Sequence, residues 1–222
     1  MKSMKNKLWK LKLWLLVFTV GLAGGWITSS RYGAVTTAAA AAISTENQAQ
    51  TQNAGLQEQR SGYIHGLAAE FSVDPSIVEI VDRYSRKYLR AGGSEWRLLR
   101  TPEFLTYLML SVIWVESKGD PGAIGDQGRA RGLTQIWTTT AQDYGRVSAQ
   151  QLLDPEINLS YSFQHFHTLL KKYDGNIAMT LYAWNRGAGT IDKLVAYGKR
   201  PENDYGRKVY GAALANQFQM GN

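Results

Sequence analysis

"TPEFLTYLMLSVIWVESKGDPGAIGDQGRARGLTQIW", Thr101 to Trp137, decides how this chain is read. It opens on Thr-Pro, a helix start in which a hydroxyl caps the first turn and Pro takes the first helical position. From Glu103 to Ser117, Leu105, Leu108, Met109, Val112, Ile113 and Val115 recur at helical spacing. Gly119 and Pro121 stop the helix. A glycine-rich stretch follows, with Gly122, Gly125, Gly128 and Gly132, which lets the backbone turn sharply and an extended ligand come close. It is no phosphate cradle, because no Gly-Lys-Ser/Thr is present and no strand leads into a helix.

Glu116 stands at the junction. It follows Val112 by four residues and Ile113 by three, so it projects from the apolar stripe. Lost solvation and the negative end of the helix dipole both disfavour its ionised form and raise its pKa. A carboxylic acid held protonated near neutral pH is what general-acid cleavage of a glycosidic bond requires. The plain alternatives are a solvated glutamate at a helix end and a surface connection after it.

Working outward, the body reads as helices. "DPSIVEIVDRYSRKYL" has Asp74 as N-cap, Pro75 next, and Ile77, Ile80, Val81, Tyr84 and Tyr88 on one face. "DPEINLSYSFQHFHTLLKKY" starts on Asp154-Pro155, and Tyr161, Phe163, Phe166 and Leu169 are its core candidates. "NIAMTLYAW" and "TIDKLVAYG" are two short helices about a turn, and "NDYGRKVYGAALANQF" follows them. Strand alternation is nearly absent, so the expected class is mainly α with little or no β-structure, and loops at 118–137 and 185–190.

The 222 residues are ample for a core, and the net charge of +7 suggests nucleic acid until its distribution is considered. Lys2, Lys5, Lys7, Lys10, Lys12 and Arg31 carry six of those charges with no acid among them, which leaves +1 for the rest. A reader of phosphates keeps its excess charge on the folded part, so no nucleic-acid partner is expected. Between Lys12 and Arg31 lie 18 uncharged, mostly apolar residues, with Trp9, Trp14 and Trp26 placed as interfacial anchors. Residues 1–31 therefore read as a membrane anchor, or a cleaved signal segment, that sends the body out of the cytoplasm. The Gln-rich stretch from Ser44 to Arg60 has almost nothing to bury, and 32–60 reads as a flexible linker. Residues 61–100 are expected to form a helical extension packing on the core, and 101–222 the catalytic domain. There is no cysteine, and His165 and His167, two apart, face different ways on a helix; no metal or cofactor is expected.

The motifs Glu116-Ser117, Pro121 to Ala123, Gly132 to Ile136 ("GLTQI"), Ala183 to Ile191 ("AWNRGAGTI") and Glu202 to Val209 ("ENDYGRKV") recur in order. Together they resemble the soluble lytic transglycosylases, helical lysozyme-like enzymes that cleave peptidoglycan, over Thr101 to Val209. The resemblance implies a glycan groove with Glu116 as the single catalytic acid and base. It implies that Ser117, Gly132, Leu133, Gln135, Ile136, Trp184, Asn185 and Tyr205 bind substrate or brace the loops. Ser117 positions the acid or the sugar, Trp184 replaces the family's Tyr as a wall of the site, and Tyr205 lies beside the glutamate. Such enzymes cut between N-acetylmuramic acid and N-acetylglucosamine without water and leave 1,6-anhydro ends. The resemblance also implies peptidoglycan strands as partner, with the cytoplasmic membrane and proteins of an envelope machine beside them.

Two departures stand out. Thr134 occupies the usual Met position, which removes an apolar contact from one groove wall. "GDQGRARGLTQ" also resembles the goose-type lysozymes, hydrolases whose water is held by aspartates. Asp126 matches the first of these, with a water-holding or a plain loop role, but the second is Trp137 here. A muramidase of this kind and a non-catalytic glycan-binding subunit are the alternatives to a transglycosylase.

Overall fold

The computed structural model describes residues 29–93, 95, 99 and 101–217, with side chains from 41 to 211. The chain divides into two compact units, Met1–Gln59 and Arg60–Asn222. Helix α1 (Ser29–Phe71) contributes residues to both. Where the sequence reads a flexible linker over 32–60, the structure holds helix, with exposed side chains from 41 to 60. Ala, Gln, Glu and Leu in this stretch are strong helix formers, a property independent of having anything to bury. Among the described residues no helix is long and apolar enough to cross a membrane. The anchor segment expected over 1–31 lies outside the described residues up to residue 28.

In the second unit α2 (Pro75–Ala91) and α3 (Pro102–Ser117) form as their caps dictate. The Asp74 carboxylate accepts from Ser76 N, and the Thr101 hydroxyl accepts from Phe104 N. The chain leaves α3 through Lys118, in the left-handed region at φ 58°, and then Gly119 at φ 84°. The turn therefore begins on a lysine, one residue before the glycine that marks the stop in the sequence. Lys118 Nζ lies 3.4 Å from the centroid of the exposed Trp114 ring, which favours this conformation locally.

α3 is the axis of the core. Every residue from Phe104 to Ile113 is buried, as in a helix that is apolar all round. It packs against α2 and α8 (Asp204–Gln217); α2 also meets α5 (Pro155–Lys172), and α6 (Ile177–Arg186) meets α5, α7 (Ala188–Ala196) and α8. Ile64, Leu67 and Phe71 of α1 join the same core. Fully burying a Leu, Ile or Phe contributes about 1.5–3 kcal/mol, so most of the stability resides around α3. α2 buries Asp82 and Ser85 beside Ile77, Val78 and Val81. The Asp82 carboxylate accepts from Arg60 Nη2 and from Arg86 Nε, both at 3.0 Å, and Arg86 Nη2 reaches Glu103 at 2.9 Å. This polar seam ties α1, α2 and α3 together.

The stretch expected as a loop over 118–137 folds into three two-residue antiparallel strands, β1 (Ile124–Gly125), β2 (Ala130–Arg131) and β3 (Ile136–Trp137), in the order β1-β2-β3. Ile124 pairs with Arg131, and Arg131 with Ile136. The short helix α4 (Thr138–Gln142) follows. At the second expected loop, 185–190, α6 and α7 are separated only by Gly187.

Candidate active site

Three elements converge on the end of α3. α3 supplies Glu116, α6 supplies Trp184, and α8 supplies Tyr205. The Glu116 side chain is partly buried, and burial pushes its carboxyl above the usual range. The Tyr205 hydroxyl and the Trp184 indole N–H act on it as donors and partly offset that rise. The Tyr205 hydroxyl is itself buried and has no hydrogen-bond partner of full geometry, so its interaction with Glu116 is a loose one. Burial first, and the Glu116 charge second, hold the Tyr205 phenol far above its ordinary range, so it stays a donor. Among the described residues no second carboxylate acts on Glu116.

The placing of Tyr205 depends on a close approach. A Cβ on Gly206 would collide with the Tyr182 ring, so only glycine lets α8 lie this near α6. Asn203 Oδ1 accepts from Gly206 N at 2.9 Å, and Asn203 Nδ2 donates to Asn185 Oδ1 at 3.3 Å. Asn185 thus braces the entry to α8 from the end of α6.

The "GLTQI" stretch is fastened at both ends. The Ser117 hydroxyl donates to Leu133 O at 2.7 Å and accepts from Gly119 N at 3.2 Å, joining the loop to the residue after the acid. Gln135 Nε2 donates to Ala123 O at 3.1 Å and to Gly132 O at 2.9 Å. Leu133 lies in the main core, and Ile136 in a smaller cluster with Ala141, Val147 and Leu152. The Leu133 and Ile136 side chains therefore face the interior and present nothing to a ligand; they seat the loop.

Asn158 on α5 escapes a sequence reading and is the hub of this arrangement. It is fully buried, and its Oδ1 accepts from Thr134 N at 3.2 Å and Thr134 Oγ1 at 2.9 Å. Its Nδ2 donates to Arg131 O and Leu152 O, both at 2.9 Å. Gly132, at φ 66°, fits against the Asn158 amide and Leu152 O with no room for a Cβ. Thr134 is therefore not a groove wall, as its replacement of Met suggests, but an interior polar residue. Its hydroxyl also lies 2.5 Å from Ser162 Oγ, which itself donates to Asn158 O at 2.7 Å. Two hydroxyl protons serve three contacts. The available signal was Asn158 and Ser162, four apart, on a helix face otherwise lined by Leu159, Phe163 and Phe166.

Asp126 sits in a left-handed turn at φ 46°, and its carboxylate accepts from Arg129 Nη2 at 2.7 Å. The Arg129 guanidinium lies 4.6 Å from the Trp137 ring centroid. Asp126 is thus engaged by its own turn. Arg131 is partly buried, and its Nε and Nη1 have no hydrogen-bond partner among the described residues.

Residues 99–205 match the transglycosylase SLT domain family. Among solved structures, the chain is similar to the 70 kDa soluble lytic transglycosylase of Escherichia coli, with 21% identity and a TM-score of 0.47 over 53% of this chain. It is also similar to an inactive mutant of the lytic transglycosylase Slt of Pseudomonas aeruginosa, with 19% identity and a TM-score of 0.46 over 52% of this chain. In each case the match spans 22% of the other protein. Residues 99–205, a little under half of the chain, thus carry the likeness to the transglycosylase SLT domain family that the motifs suggest.

Proposed function

We propose that this protein is a peptidoglycan lytic transglycosylase with Glu116 as its only catalytic acid and base. The observation that carries this is one carboxyl, raised by burial, with two donors beside it and, among the described residues, no second carboxylate acting on it. A hydrolase of the inverting or retaining kind needs a carboxylate pair flanking the bond. One carboxyl suffices if the substrate supplies the remaining nucleophiles. Protonated Glu116 gives its proton to the oxygen between N-acetylmuramic acid and N-acetylglucosamine, and the C1–O bond breaks. The substrate's acetamido oxygen stabilises C1. The ionised Glu116 then takes the proton from the C6 hydroxyl as O6 bonds C1. Glu116 ends protonated, no water is consumed, and the product carries a 1,6-anhydro ring.

Trp184 and Tyr205 restrain the carboxylate formed midway, since both stabilise its charge. Ser117, Gln135 and Asn185 act through the loops they brace. The lysine-rich leader and its apolar run support a body tethered to the outer side of the cytoplasmic membrane. Peptidoglycan strands are then within reach, as are proteins of an envelope machine.

The test is digestion of purified peptidoglycan by the full chain, read by mass spectrometry, with Glu116→Gln beside it. Anhydro products lighter by one water than hydrolysed ones, absent with Glu116→Gln, are expected. Reducing ends would make the protein a muramidase. Glycan binding without cleavage would make it a non-catalytic subunit.

A further inference from the structure

His165 has no part in the chemistry above, yet it sits behind it. α5 presents it to Trp184, with ring centroids 5.2 Å apart, and Trp184 in turn acts on Glu116. On its other side the Tyr144 hydroxyl lies 3.0 Å from His165 Nδ1. The Thr168 hydroxyl, also near Tyr144, gives its proton to Gln164 O at 3.0 Å. That leaves Thr168 Oγ1 and His165 Nδ1 as the two acceptors for the one Tyr144 proton; when Nδ1 takes it, the imidazole's own proton is on Nε2. Nε2 has no hydrogen-bond partner among the described residues, and the His165 side chain is half-buried. Burial pushes the imidazole down to about 4, with only Asp143 opposing it, so the ring is neutral at pH 7. A neutral donor suits the neutral acceptor oxygens of a sugar. A carboxylate would favour the imidazolium form instead.

We propose that His165 is a recognition residue for the glycan, its Nε2–H donating to an acceptor oxygen of the N-acetylhexosamine that lies against Trp184; this rests on the glycan-cleaving function proposed above. Tyr144 is the positioning residue that sets the tautomer. A space-filling role at this position would need neither the imidazole nor its polar partner.

The probes are tetra-N-acetylchitotetraose and the corresponding glucosamine tetramer, titrated calorimetrically into the full chain carrying Glu116→Gln. Adding His165→Phe is expected to weaken binding about 3- to 10-fold, the range of one neutral hydrogen bond. Adding His165→Gln instead, whose amide nitrogen reaches the Nε2 position, is expected to restore most of the loss. A loss confined to the acetylated tetramer identifies the acetamido oxygen as acceptor; a loss with both identifies a hydroxyl. Equal affinity with Phe and His overturns the proposal. So does an equal loss with Phe and Gln accompanied by a lowered Tm, which would mean a structural role. If the Glu116→Gln chain binds neither tetramer, the glycan reading itself falls, and the role of His165 with it.

Discussion

Asn158→Ala tests whether the loop behind the acid is held by one interior amide. The substitution removes four hydrogen bonds, at 3.2, 2.9, 2.9 and 2.9 Å, from a fully buried site. Thr134 Oγ1 retains Ser162 as a partner, but Thr134 N and the carbonyls of Arg131 and Leu152 lose theirs to Asn158. At about 1 kcal/mol for each bond, and more where a buried group is left bare, the expected loss is roughly 3–5 kcal/mol. For a unit of this size that lowers Tm by about 8–15 °C. Urea unfolding of the full chain, followed by tryptophan fluorescence, reads the loss directly. Asn158→Asp is the informative companion, because it sets a carboxylate oxygen against two carbonyls and is expected to be at least as destabilising. A loss below about 1 kcal/mol in Asn158→Ala would refute the reasoning and make the network a bystander.

Three further outcomes follow from the site. Glu116→Gln should raise Tm at neutral pH: a carboxyl raised by burial contributes stability below its unfolded pKa of about 4.3 and loses it as pH rises through the folded value. The Tm advantage of the variant should therefore vanish near pH 4 and grow toward pH 8; a difference independent of pH would contradict it. Tyr205→Phe removes a donor that favours the ionised Glu116, so the alkaline limb of the pH–rate profile should move to higher pH. Gly206→Ala should cost about 1–3 kcal/mol by thermal melt and reduce turnover more than that loss accounts for, because relieving the collision with Tyr182 displaces Tyr205.

The helical class was legible, and so were the starts of α2, α3, α5 and α6, because these four begin on a capping residue and three of them continue with Pro: Asp74-Pro75, Thr101-Pro102 and Asp154-Pro155. Glu116 was legible for a similar reason, since its spacing from Val112 and Ile113 places it off an apolar stripe. The strands of 124–137 were not, because two-residue pairs are too short for alternation to register. Nor were the partners of the loop. Thr134 reads as a groove residue when compared with a Met, and its interior bonds come from Asn158 and Ser162, 24 and 28 residues away. Long-range polar pairing leaves no periodic trace. The same holds for Asp82, whose position on the buried face of α2 makes sense only with Arg60 and Arg86 beside it.

The interior trio of Thr134, Asn158 and Ser162 has a consequence for exchange between relatives. Thr134→Met alone would thrust a thioether into a pocket shaped for an amide and a hydroxyl, and would strip Asn158 of one donor. The three positions therefore form an inheritance unit: a chimaera that transplants "GLTQI" without its counterparts on α5, or reverts one member by itself, should fold worse than either parent.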